Sequence, residues 1–303
     1  MKDLWFPLMI LLAIIGIALF GGAKNASVVS NNGTTNSTIP TPAERQMSQD
    51  EIAYNIQNTQ YQTQQLQQEV ADEQAAKIAS VYKGQITMSW GGWSNTDPNQ
   101  EYIEIDANSG NTSPINISGW TLTGTSTGQT ITIPQSTGLY LSNAVNDNTN
   151  VILSPGERAY IITGRSPIGF GMHANVCSGY LSQFNNFIPG LYTQCPAPRD
   201  EQAVTTIPRT INNNNCFDLI DSLGTCQVYT QTLDNTYSSQ CQDFIETKLN
   251  YQSCVDIHKN DTNFWSPNEW YVYLNHDEVL WQPRRETLIL TDTAGKKVYT
   301  IMR

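Results

Sequence analysis

Six cysteines, all between Cys177 and Cys254, follow the chain's one membrane-length apolar run, Leu4–Ala23. Cytosol keeps thiols reduced, whereas an even set of cysteines in an exported segment pairs. Their spacings are long and irregular, with no C-x-x-C, which speaks against a structural zinc site. Cys177, Cys195, Cys216, Cys226, Cys241 and Cys254 are therefore expected to form disulfides, with buried free thiols as the alternative. Spacing alone does not select the connectivity. A nested pattern is attractive: Cys216 with Cys254, Cys226 with Cys241, and Cys177 with Cys195. It needs a helix break near Asn250, because an unbroken helix would not present Cys241 and Cys254 on one face.

Leu4–Ala23 carries no charge, and at about 1.5 Å per helical residue it crosses a hydrocarbon core of roughly 30 Å. A cleaved signal peptide predicts a strongly basic start and a shorter apolar core. Here Lys2 is followed at once by Asp3. Residues 1–24 are thus expected to be a single-pass anchor with a cytoplasmic N-terminus, the bulk of the chain lying outside the cytoplasm. Residues 25–42, rich in Ser, Thr, Asn and Gly, are expected to be a disordered linker. Residues 43–83 contain no Gly or Pro before Lys83 and are rich in Gln, Glu and Ala, which predicts a helical stalk. A heptad seam through Ile52 and Ile56 also takes in Thr59 and Thr63, which weakens a coiled coil. Two outcomes stand open: homo-oligomerisation through the stalk, and a single amphipathic helix.

From Lys83 the period changes to two. Ile86–Trp90, Tyr102–Ile105 and Thr130–Ile133 alternate, separated by Asn, Gly and Pro clusters, as short strands do. Ala159–Thr163 adds a strand, and the pattern then stops until Trp270–Leu274, Thr287–Leu290 and Lys297–Ile301. A mainly β fold over residues 84–303 follows, a small sandwich interrupted by a cysteine-rich, partly helical insertion at about 170–267. Trp120 and Leu122 are expected to point into the core beside Ile103 and Ile105. Glu104, on the opposite face, is expected to pair across strands.

Glu101-Tyr102-Ile103-Glu104-Ile105, then Ile117-Ser118-Gly119-Trp120-Thr121-Leu122, then Leu153-Ser154-Pro155-Gly156-Glu157 resemble the lamin tail domain. Leu288-Ile289-Leu290-Thr291-Asp292 with Gly295 and Val298 is similar to that family's final hairpin. The likeness covers residues 84–163 and 270–303. It implies an immunoglobulin-like sandwich of the bacterial, exported and membrane-anchored type, often without known activity, here with a cysteine-rich insertion.

The chemistry-bearing residues are sparse. Gly124-Thr125-Ser126-Thr127-Gly128 matches the G-x-S-x-G pattern, but it sits between two predicted strands and lacks the strand–turn–helix context of a nucleophile. His173, His258 and His276 are scattered, without metal-ligand spacing. No catalytic, cofactor or metal residues are expected, and no cofactor. A formal net charge of −11 argues against a nucleic-acid partner. Eight aromatics of the insertion, Tyr180, Phe184, Phe187, Tyr192, Phe244, Tyr251, Phe264 and Trp265, form either its own core or an exposed binding surface. Core is the favoured outcome, because large aromatics bury where they can. The function expected is a membrane-anchored extracytoplasmic binding or scaffolding module whose partner is an envelope protein or glycan. The alternative is an extracytoplasmic hydrolase with its site in the insertion.

Overall fold

The computed structural model describes residues 42–303 except 95, 282 and 283. The expected anchor Leu4–Ala23 and all but the last residue of the expected linker lie outside the described residues. Among the described residues no helix is long and apolar enough to cross a membrane.

Helix α1 spans Pro42–Ile78, with its proline at the first position, where a missing N–H costs nothing. Ile52, Tyr54, Ile56, Tyr61 and Leu66 are exposed, and the apolar residues do not gather on one face. The Thr59 and Thr63 hydroxyls donate to the carbonyls of Asn55 and Thr59, one turn back. Contacts divide the chain after Gln68. The helix stops five residues short of the expected stalk end, because Ser80 is captured by the fold: its N–H donates to the Lys297 carbonyl and its hydroxyl to Asp292 at 2.6 Å.

The strands follow in chain order: β1 (Ile86–Gly92), β2 (Tyr102–Ala107), β3 (Ile115–Asn116), β4 (Thr121–Gly124) and β5 (Thr130–Thr132). Next come β6 (Ser136–Thr137), β7 (Asn148–Thr149), β8 (Ile152–Leu153), β9 (Arg158–Ile162) and β10 (Met172–His173). After a long excursion the chain closes with β11 (Glu269–Tyr273), β12 (Thr287–Thr291) and β13 (Lys297–Met302). Seven strands form one sheet in the order β1-β2-β9-β11-β10-β6-β7, four form a second, β13-β12-β4-β5, and β3 pairs with β8.

Alternation dictates the core. In β2 the buried residues are Ile103, Ile105 and Ala107, and the register sets Ile103 opposite Ile161 of β9. In the second sheet Leu122 lies opposite Leu290. These residues, with Trp120 only 1 % exposed, join one apolar cluster shared by both sheets. Gly119 precedes Trp120 at φ +84°, a left-handed conformation that favours glycine.

The larger sheet is buried on both faces at its centre. Ala159, Ile161, Trp270 and Val272 belong to the shared core, whereas Tyr160, Ile162, Tyr271 and Tyr273 pack with Phe187 and Leu191 of the excursion. A strand covered on both sides reads as an unbroken apolar run, as Ala159–Ile162 and Trp270–Tyr273 do. β9 and β11 run parallel and hydrogen-bonded, so the intervening chain must return to the end of the sheet where β9 begins before β11 can form.

The excursion starts later than expected. β10 falls inside the range 170–267 but belongs to the sheet, paired with β11 and β6. Beyond it lie α2 (Gly179–Ser182), α3 (Asn214–Ser222), α4 (Ser239–Asp243) and α5 (Tyr251–His258). A π-turn at Phe244–Lys248 follows α4, and a new N-cap at Asn250, whose side chain accepts from the Ser253 N–H, starts α5. Ser238 caps α4 by accepting from the Cys241 N–H. With α1 and these helices the chain is mixed helix and sheet, more helical than the mainly β class expected from its strand pattern.

Candidate functional site

All six cysteines are paired, as expected of an exported segment, but the nested connectivity is wrong. The bonds join Cys177 with Cys254, Cys195 with Cys226, and Cys216 with Cys241. The helix break near Asn250 exists, yet it turns α5 toward α2. Cys254 therefore packs with Cys177, Tyr180, Tyr251 and Phe264, while Cys216 and Cys241 share a second cluster with Ile220, Phe244 and Leu249. Two small apolar cores result, the first holding two bridges, Cys177–Cys254 and Cys195–Cys226, and the second holding Cys216–Cys241.

The aromatics divide unevenly. Tyr180, Phe187, Phe244, Tyr251 and Phe264 are buried, and Tyr192 and Trp265 are partly buried. Phe184 stands apart at 62 % exposed. It lines a cleft of about 500 Å³ together with Asp97, Asn99, Arg165, Asn186 and Tyr273. A neighbouring hollow of about 300 Å³ shares Ser166 and Tyr273 with it.

Parallel pairing builds this cleft. Because β9 and β11 run the same way, their C-terminal ends emerge side by side. The chain after β9 carries Arg165, whose guanidinium grips Asp277, just beyond β11, through two bonds of 2.7 and 2.9 Å. Pairing of this kind is stronger than a single contact, and it holds the Asp277 carboxyl below its ordinary range. Asn99 accepts from the Arg165 N–H at 2.9 Å, and the Gly164 N–H donates to the Pro98 carbonyl. Gly164 has no space for a side chain, since Asn99 lies directly against it. Tyr273 is the most buried of the named lining side chains. It is 6 % exposed, and its hydroxyl has no hydrogen-bond partner among the described residues. Burial pushes its pKa well above the ordinary phenol value, so the hydroxyl stays protonated.

The other candidates have structural occupations. Ser126 Oγ donates to the Arg285 carbonyl, and its N–H donates to the Glu286 carboxylate, which ties the β4–β5 turn to the chain before β12. His173 lies between the rings of Trp265 and Trp270, each centroid 4.4 Å away, with Nε2 3.4 Å from Glu157. His258 bonds Asp261 through Nδ1 at 2.7 Å and Glu201 through Nε2 at 3.0 Å. A general base needs a free ring nitrogen facing a nucleophile; both nitrogens of His258 are taken by carboxylates. His276 flanks a separate hollow beside Tyr273, its N–H donating to the Thr163 carbonyl. Glu104 does pair across strands, with Arg158 at 3.5 Å, and Arg158 also binds Asp106 at 2.6 Å. Among the described residues no group of His, Cys, Asp and Glu is placed to hold a metal ion.

Sequence reasoning missed the cleft. Asn99, Arg165, Phe184 and Tyr273 are far apart in the chain: the parallel β9–β11 pairing brings Arg165 near Tyr273, hydrogen bonds after β9 bring in Asn99, and the excursion brings in Phe184. Comparison with family models, curated proteins and solved structures returned no match.

Proposed function

We propose that this chain is a membrane-anchored, extracytoplasmic binding or scaffolding protein. Leu4–Ala23 is its single-pass anchor, α1 its stalk, and the two sheets with their shared core an immunoglobulin-like sandwich similar to the lamin tail domain. The disulfide-bonded excursion supplies the wall of a recognition cleft on that sandwich. The partner is an envelope component, and the molecule recognises it without transforming it.

The observation that carries this proposal is the set of three disulfides, which requires an oxidising compartment. An exposed phenylalanine and polar side chains around an open cleft support recognition. The tied-up ring of His258 favours recognition over hydrolysis. The test is to delete Met1–Ala23 and supply a cleavable export signal. The expected product is released in soluble form; a product that stays with the membrane or aggregates contradicts the single anchor.

A further inference from the structure

The geometry points to a neutral oligosaccharide as the ligand of the cleft around Tyr273, held by Phe184, Asn99, Arg165, Asn186 and the Tyr273 hydroxyl. This inference rests on the proposal of an extracytoplasmic binding protein and gives that protein a site and a ligand class. Three observations converge on it.

Phe184 is 62 % exposed in an excursion that buries most of its other rings. An exposed ring on the wall of a polar cleft offers a flat apolar surface, which suits the C–H face of a pyranose. The polar lining is led by the carboxamides of Asn99, Asn185 and Asn186, with the Ser166 hydroxyl, one carboxylate (Asp97) and one guanidinium (Arg165). Asn99 commits its oxygen to the Arg165 N–H and keeps its amide donors, and Asn186 makes no side-chain hydrogen bond among the described residues. Carboxamides donate and accept, as sugar hydroxyls do. Arg165 is the one cation of the lining and is already matched by Asp277, while Asp97 adds a negative charge, so the cleft has no surplus positive charge for a phosphate or a polyanion. Finally, Tyr273 lines the same cleft, and its hydroxyl is buried without a partner among the described residues. A buried hydroxyl is costly to leave unpaired, and a ligand hydroxyl there would satisfy it. A cleft of about 500 Å³ suits a short saccharide.

The test uses the full chain in detergent, titrated by calorimetry and by saturation-transfer NMR. The probes are maltotriose and triacetylchitotriose, with inorganic phosphate and sialyllactose as anionic counterparts. The expected result is saturable binding of at least one neutral trisaccharide and none of phosphate. Phe184→Ala should weaken that binding about tenfold or more, and Tyr273→Phe several-fold. Both variants should keep the thermal unfolding of the parent, because one removes an exposed ring and the other a single oxygen. Three results overturn the assignment: no saturation by either neutral trisaccharide up to about 10 mM, binding that neither substitution weakens, or a preference for an anionic probe. None of these bears on export or on the disulfides, which are read independently.

Discussion

Glu101 shows what one buried carboxylate can organise. It is 2 % exposed and accepts from the Thr163 hydroxyl at 2.7 Å, the Leu280 N–H at 2.8 Å and the Trp281 N–H at 3.1 Å. Burial raises its pKa above the ordinary carboxylate range in spite of those donors. Glu101→Ala strips three donors of their acceptor at once and should cost about 3 kcal/mol in urea unfolding, whereas a loss below about 0.5 kcal/mol would show that the 280–281 segment is held by other means. His258 works in the opposite electrostatic sense. Burial alone would lower its pKa, but Asp261 and Glu201 outweigh burial and leave it above the ordinary 6.5. A raised folded-state value stabilises the fold fully below the unfolded pKa, and that contribution is lost as pH rises through the raised value. His258→Gln should therefore lower the urea midpoint more at about pH 6 than at about pH 9. An equal loss at both would mean that the ring acts through packing alone.

Among the elements, the strands were largely legible and the excursion was not. Alternation in Tyr102–Ile105 and Thr287–Leu290 marks strands with one core face, and the turn at Asp292 closes as its residues predict: its carboxylate accepts from the Ala294 and Lys296 N–H groups, with Gly295 at φ +73°. What alternation does not reveal is partner order. That β9 pairs in parallel with β11, across an excursion from Ala174 to Asn268, depends on distant burial that no local pattern records. The cysteine partners escaped for a related reason. The π-turn at Phe244–Lys248 and the Asn250 cap re-aim α5, and so send Cys254 to Cys177. Bridge strength should follow the loop each bond closes. Cys177–Cys254 spans 77 residues and Cys216–Cys241 spans 25. Replacing both cysteines of the first pair by alanine should cost about 4–5 kcal/mol, and of the second about 3–4 kcal/mol, in chain-entropy terms. The reverse order in denaturant midpoints would show that local packing, not loop closure, sets their worth.

At the scale of the molecule, the excursion between β10 and β11 covers the outward face of the larger sheet with Phe187 and Leu191, and it supplies Phe184 to the cleft. The bonded cysteines brace that wall of the cleft: without oxidation, it loses its covalent ties. Composition and the cysteine count foretold the bonds but not the cleft, whose residues come from Asp97 to Tyr273 and share no motif. The most direct test is peptide mapping, by mass spectrometry under non-reducing conditions, of the full chain recovered from cells with free thiols alkylated first. The expected cross-linked peptides join Cys177 to Cys254, Cys195 to Cys226 and Cys216 to Cys241, with no alkylated cysteine. Six alkylated thiols, or a different set of partners, would contradict it.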